Sequence, residues 1–471
     1  MYWKLLKKIK HQLWKTFTER FLDLLVFYSN SFLVSNKLGL GAVAAVGVSN
    51  MILLTFGILI SSLTSVTNTK VGKSIGQEQI TGSTHSQKGV YIVQGFYLVG
   101  SLSLLLSFIA LIFAPQMLAI SGANHATVAQ GTPYLRILGS LYLFESLRKL
   151  CADALQGMND FESPLKAGAW MNGCHFVLAL GVVLFTDLGI VGVAWATAVS
   201  QAVGLLLLVR RLKQQAFQTE VPWKLEWTML KDMFILSKFS MAQGIFTRVS
   251  MIAYGMALLS VSPEAYASMI IQDGFLSITY MVQDAFVLVM TTAISVRYGE
   301  RTALHSNLHG IQQDHSQKQG KVRALVEKDK ELVRTVTGFL GLTCLFTGAL
   351  VVLQYLAWSW IILLYTNDPI TIQVSHKFSL AAVFWLVPFT CYFVFYKGAL
   401  ASVEDRKGSQ NSNIIAASLW IASLWVVRNW GLDAVLISKV LFETLRGLLI
   451  MARFYSMRWS RCPSKDCALS Q

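Results

Sequence analysis

Six polar residues recur along one line of an apolar stretch: Asp273, Ser277, Tyr280, Asp284, Thr291 and Ser295, at steps of four, three, four, seven and four. Those steps put them on one face of a helix, with the two carboxylates about 16 Å apart along its axis. A carboxylate inside an apolar segment is costly and is a functional candidate by default. It can load a proton or a sodium ion, provided that water or protein lies in front of it. The stripe therefore reads either as the lining of an internal cavity, with Asp273 or Asp284 as the ion-coupling acid, or as a packing face satisfied by hydrogen bonds.

A second charge raises a related question. Arg248 stands inside "SMAQGIFTRVSMIAYGMALL" (240–259). It lies about 20 Å from the 261–264 turn, and Asp273 is within about 6 Å of the same depth. Two readings stay open: a structural Arg248–Asp273 pair, or an anion-binding or gating cation facing a cavity. Earlier in the chain, Glu19, Asp23 and Asn30 share one helical face, and Asp23 is a third ion-coupling candidate. Glu145, Arg148, Lys149 and Asp153 are spaced to pair with one another rather than to contact substrate, although Glu145 and Arg148 remain cavity candidates. Lys439, Glu443 and Arg446 form a similar neutralising set, and His175 reads as a hydrogen-bonded core residue.

Metal and enzyme chemistry find little support. Cys462 and Cys467 lack two further zinc ligands, and the other four cysteines read as small apolar residues. "VGKS" (71–74) has Thr67 where a phosphate loop needs its first glycine. No strand precedes "GLGAVA" (39–44), and no zinc-protease motif or nucleophile elbow appears. No cofactor is expected beyond a bound proton or sodium ion, and no catalytic residue.

The elements that must position these residues follow from composition. The 471 residues are 54% hydrophobic and 14% charged, against about 25% charged in soluble proteins. Runs long enough to cross a bilayer as helices recur at 14–35, 43–66, 90–113, 133–156, 166–186, 188–209, 233–259, 265–295, 335–364, 376–400, 412–427 and 431–452. The expected fold is an all-α integral membrane protein of twelve transmembrane helices, since backbone groups in lipid must be satisfied within the segment. The net charge of +15 is topological rather than a nucleic-acid footprint. Lysines and arginines crowd into 1–20, 67–89, 210–232, 297–334, 401–411 and 453–461, whereas the opposite connections carry little beyond Lys37, Lys377 and Arg428. That asymmetry predicts two cytoplasmic termini in a bacterial inner membrane, with anionic lipids as partners. The polar insert 300–334 reads as a solvated loop with a helical end.

The chain also repeats itself. "GAVAAVGVSN" (41–50) matches "EAYASMIIQD" (264–273), and Gly76 matches Gly299 at the same offset. "DALQGMND" (153–160) matches "GALASVED" (398–405), the longer 297–334 stretch absorbing the change in offset. Two parallel six-helix lobes around a central cleft are therefore expected. Their boundaries are an interfacial basic helix at 1–13, an N-terminal lobe at 14–209, a linker at 210–232, a C-terminal lobe at 233–452 and a basic tail at 453–471.

"YLRILGSLYLFESLRKLCADALQGMNDFESPLKAGAWMN" (134–172) resembles the fourth helix and Gly-x-x-Asp-x-x-x-Pro-like turn of the multidrug and toxic compound extrusion (MATE) family. "LGLGAVAAVGVSN" (38–50) resembles the start of that family's second helix, and "LGIVGVAWATAVSQAVGLLLL" (188–208) its sixth. The resemblance implies a monomeric exporter of small organic molecules, often cations, that alternates access and is coupled to protons or sodium. Three acids common in the family align with Ser31, Arg248 and Thr390 here, which leaves neither the coupling ion nor a cationic cargo to be carried over. The missing acids and Arg248 keep a flippase for an anionic lipid-linked precursor in view, and internal pairing of every charge would fit a non-transporting scaffold.

Overall fold

The computed structural model describes residues 2–82, 87–217, 223–309 and 315–460, without side-chain detail at 2–8, 26–40, 308–309, 315–318 and 458. Ser31, Asn30, Cys462 and Cys467 therefore lie outside what is described. The elements are α1 (Tyr2–Thr81), α2 (Lys88–Ile120), α3 (His125–Ser140), α4 (Tyr142–Gly157), α5 (Glu162–Phe185), α6 (Gly189–Ala216), α7 (Trp227–Val261), α8 (Pro263–His309), α9 (His315–Ile362), α10 (Pro369–Phe393) with a π-helical continuation (Val394–Leu400), α11 (Arg406–Val427) and α12 (Leu432–Tyr455). No strand occurs among the described residues.

Eight helices are long and apolar enough to cross a membrane by themselves. The rest of the twelve-span layout comes from the first arm of α1, the α3–α4 pair, α11 and α12. The chain is a multi-pass integral membrane protein. Although α1 is one helical element, it cannot be a straight rod. Gln12 Nε2 donates to Asn159 Oδ1 at 3.3 Å and Asn68 Nδ2 to the Asp153 carbonyl at 2.9 Å, yet a straight helix would hold Gln12 and Asn68 about 84 Å apart. Residues 9–25 and 41–81 are thus two arms that reach the same turn. The single span expected at 133–156 is broken at Leu141, just after the Gly139–Ser140 pair, a usual place for a kink. Gly139 also brings α3 against α2, since a Cβ there would lie 2.3 Å from that of Ala110.

The chain divides into two compact units. The first runs to Ser237, and the second runs from Lys238 and takes in Gln79–Thr81. The expected linker at 210–232 is, where described, part of the first unit. Trp223 stacks on Phe217 at 5.9 Å and meets Phe96 at the same distance. Gln94 donates to the Lys224 carbonyl and accepts from the Glu226 amide, at 2.9 and 3.1 Å.

One turn occurs in both units. After α4, Asn159 adopts φ 64°, and the Asp160 amide returns to the Leu155 carbonyl at 2.9 Å. After the π segment, Glu404 adopts φ 63°, and the Asp405 amide returns to Leu400 at 2.9 Å. Both are left-handed helix caps. In each, the following aspartate meets a cation near the end of the unit's last long helix. Arg211 and Gln215 of α6 reach Asp160 at 3.3 and 2.7 Å, and Arg453 of α12 grips Asp405 with two bonds at 2.7 and 2.9 Å. Burial pushes the Asp160 carboxyl up, but hydrogen bonds from Ser163, Gln215 and Arg211 outweigh it and hold the group below its ordinary value. The Asp405 bonds push Arg453 up, against a smaller effect of burial.

The 300–334 insert is not a loop where it is described. It continues α8 and begins α9 as an antiparallel helical pair. Arg297 meets Glu331 at 3.1 Å, Lys328 meets Glu300 at 2.5 Å, and Arg301 pairs with Asp329. A charged composition looked like a loop, but the charges are spaced to bridge two helices.

Candidate functional site

In the first unit, amides meet two acids of α1, one buried and one half-buried. α1 presents Glu19 and Asp23 one turn apart. Asn172 Nδ2 of α5 donates to Asp23 at 2.9 Å, and Gln156 Nε2 of α4 donates at 3.3 Å to Glu19, which is 5% exposed. The charges of Arg20, Asp23, Arg148 and Asp153 all act on Glu19. Arg148 Nε donates to Gln201 of α6 at 2.6 Å, so it does not pair with Glu145. Glu145 instead pairs with Lys149 at 2.8 Å. His175 is buried and bonds the backbone at Ala196.

The second unit gathers its charges among rings. On the α8 stripe, Asp284 pairs with Lys397 of the π segment at 2.6 Å. Tyr280 packs edge-on against Phe389 at 5.5 Å, Ser277 Oγ donates back to the Gly274 carbonyl, and Thr291 Oγ1 donates to Val287. Facing this helix, α12 supplies the expected set. Glu443, 1% exposed at its side chain, binds Lys439 at 2.7 Å and Arg446 as well. The Arg446 guanidinium lies 3.6 Å from the centre of the Tyr392 ring. Lys439 Nζ stands 4.9 Å from Trp420, 5.0 Å from Trp385, and 5.6 Å from both Tyr254 and Phe442. Thr390 is buried and receives a 2.8 Å bond from Gln283.

The expected Arg248–Asp273 pair is absent. Arg248 is half-buried and makes no ion pair among the described residues. The cation whose charge acts on Asp273 is Lys439. Depth alone suggested the pair, and azimuth undoes it. Gln243, Ser250, Tyr254 and Leu258 form the buried line of α7, and Arg248 lies about 120° around the helix from it, while α12 brings its own cation to Asp273.

Two features escaped sequence reasoning. Lys397 is the single charge of "CYFVFYKGAL" (391–400) and so was legible as a cation near the end of the 376–400 span. The π segment that carries it has no sequence signature; such segments often mark functional sites.

The MatE family model matches residues 17–180, and the fold of nearly the whole chain agrees with it. An outward-facing multidrug resistance MATE family transporter of the MOP superfamily matches with a TM-score of 0.81 over 97% of each chain, at 16% identity. The likeness to the MATE family thus rests on residues 17–180 by sequence and on the fold for the rest of the chain. Among curated relatives, the uncharacterized transporter YisQ of Bacillus subtilis is 23% identical over 95% of the chain and 93% of its own length. A MOP superfamily transporter from Pyrococcus furiosus, described as having a binding pocket of reverse polarity that suggests a different function, matches with a TM-score of 0.78 over 96% of each chain at 18% identity.

Proposed function

We propose that this chain is a MATE-like transporter that exports small organic compounds by alternating access, as an antiporter driven by protons or sodium. It works as a monomer in a bacterial inner membrane, with both termini cytoplasmic. The lysine and arginine bias of the loops supports that orientation, and the same loops meet anionic lipids. The observation that carries the coupling reading is the Asn172–Asp23 bond at 2.9 Å. Asp23 has a neutral amide as its described hydrogen-bond partner, and an acid within an apolar span is where a coupling ion would bind. Asp284 and Asp273 remain coupling candidates of the second unit, Asp284 in an ion pair with Lys397 and Asp273 within the field of Lys439, which Glu443 also holds. Ion binding that favours one orientation over the other supplies the coupling. Ser277 and Tyr280 serve as positioning groups beside Asp273, and Glu145 and Arg148 as structural groups of the first unit.

The test is transport by purified protein in liposomes under an imposed proton or sodium gradient, with cationic and anionic solutes. Gradient-driven export that an ionophore abolishes, and that Asp23→Asn loses while Asp273→Asn and Asp284→Asn retain it, supports the reading. Loss only in the second-unit variants moves coupling there. Failure under every gradient and solute favours the scaffold.

A second reading has its own observation. Arg248 is half-buried without an ion pair among the described residues, and Thr390 stands where the family commonly has an acid. Both favour an anionic cargo, including an anionic lipid-linked precursor, and the Pyrococcus furiosus relative gives a precedent for reversed polarity. Arg248→Ala that folds normally but loses only anionic solutes would select it.

A further inference from the structure

A cavity of about 380 Å³ opens at the second of the two repeated turns, lined by Glu404, Asp405, Lys407, Asn411, Arg453 and Trp459. That volume lies within the range of small-ligand pockets, about 300–1,000 Å³. One side of it is fixed. Arg453 is committed to Asp405 through two bonds, and its guanidinium lies against Gly408, where an added Cβ would clash with it. Trp459 is fully buried and donates to the Phe454 carbonyl at 2.9 Å. The other side carries both signs of charge. Glu404 supplies a carboxylate, whose charge also acts on the buried Arg406. Lys407 is exposed and makes no ion pair among the described residues, and Asn411 adds an exposed amide.

The first unit treats the same place differently. Asp160 answers to Asp405 in the repeat, so Asn159 answers to Glu404 and Glu162 to Lys407. Gln12 of α1 bonds Asn159 at 3.3 Å, and Lys15 bonds Glu162 at 2.6 Å. There the chain covers its own turn. In the second unit the corresponding wall borders a cavity, and the charge at the second position is reversed.

The cavity also leads into an apolar track. Lys407, Asn411, Ile415, Ser418, Ala422 and Val426 of α11 follow at steps of four, four, three, four and four, and all are exposed. They form one stripe, which the exposed Leu419 widens. From Asn411 to Val426 it runs about 22 Å, longer than the roughly 15 Å of hydrocarbon in one leaflet. A soluble ligand would use the cavity alone, whereas an amphiphile uses cavity and stripe together. The two acids and two bases of the lining sum to no net charge, which favours a zwitterion over an anion.

We propose that the cavity and the stripe bind one membrane phospholipid with an amino head group. Its phosphate sits on Lys407 and Asn411, its ammonium on Glu404, and an acyl chain runs along Ile415, Leu419 and Val426. This is a selective site, unlike the diffuse attraction of basic loops for anionic lipid. It rests on the membrane-spanning fold and stands whether or not the transport reading survives.

The experiment measures the affinity of the first bound lipid by native mass spectrometry of the full-length protein released from detergent micelles. Phosphatidylethanolamine is expected to bind at least fivefold more tightly than phosphatidylglycerol with the same chains. Lys407→Ala, at an exposed position, should weaken phosphatidylethanolamine at least tenfold. Glu404→Gln should abolish the preference between the two lipids. If that variant does not fold, the exposed Asn411→Asp sets a carboxylate beside the phosphate and should weaken phosphatidylethanolamine at least fivefold. Soluble phosphoethanolamine in excess has the head group without the chains and should not displace the lipid. Equal affinity for the two lipids in wild type, unchanged affinity in Lys407→Ala, or displacement by soluble phosphoethanolamine overturns the proposal.

Discussion

In the first unit Glu19 faces Gln156, Asp23 faces Asn172, and Arg148 faces Gln201. In the second, Lys439 and Arg446 share Glu443 beneath a wall of aromatic rings. The same helical plan thus buries charge in two chemistries. In the first, neutral amides supply the hydrogen bonds of both acids. Two cations sharing one acid are locked together, since removal of the acid exposes both to a medium that does not solvate them. The acids of α1 thus meet amides, whereas Glu443 of α12 meets two cations.

Glu443→Ala should give the largest effect. Breaking a buried ion pair by removing one partner costs about 3–5 kcal/mol, and here two cations lose theirs. Folded yield and thermal unfolding in detergent measure it, and a variant as stable as wild type would end the contrast between the units. The repeated turns come next. Asp160→Ala and Asp405→Ala each remove charge-assisted bonds worth about 1.5–3 kcal/mol apiece at most, and both should lower the unfolding temperature in parallel. Because the folded Asp160 lies below the unfolded value near 4, its contribution is complete above that value. It is lost as pH falls through the lower, folded value. Wild type should therefore lose its advantage over Asp160→Ala only in acid, and a difference that instead faded toward alkaline pH would contradict the assignment.

Asp23→Asn should be milder still for the fold, shifting stability by less than about 1 kcal/mol because the amide can still bond Asn172, while gradient-driven transport falls at least tenfold. Unfolding of this variant to the extent expected of Glu443→Ala would erase the distinction drawn above. The smallest effect belongs to Lys377→Ala, whose pair with Asp433 is exposed, at 47% and 68% of the two side chains. Such pairs contribute about 0–1 kcal/mol, and a salt titration of the unfolding temperature should show little difference from wild type.

Much of this plan could be read from residue order. Twelve apolar runs, the polar line of α8 and the Lys439–Glu443–Arg446 triad all follow from helical spacing, and the two aspartate turns announced the repeat. What escaped reading depends on azimuth and on partners distant in the chain. Arg248 and Asp273 share a depth, but nothing local to either tells that α12 reaches Asp273 first. Nor does "AVLISKVLFETLRG" reveal that Trp385 and Trp420 will surround its lysine. The α8–α9 extension was missed for another reason. Its charges are polar by composition, and only pairing Arg297 with Glu331 and Lys328 with Glu300 turns them into interhelical bridges. The Asp284 partner hung on a π turn, which changes which face Lys397 presents without altering hydropathy.

That extension has a mechanical meaning. The bridged pair continues α8, the helix that carries Asp273 and Asp284, well beyond its apolar part, and the 315–334 portion of α9 alone is about 30 Å long. Stiffened by three bridges, it behaves as a pointer fixed to the stripe. A tilt of α8 by some 10° would swing the far end by about 5 Å over that length, enough for a spectroscopic label on the extension to register a motion that the stripe itself would barely show.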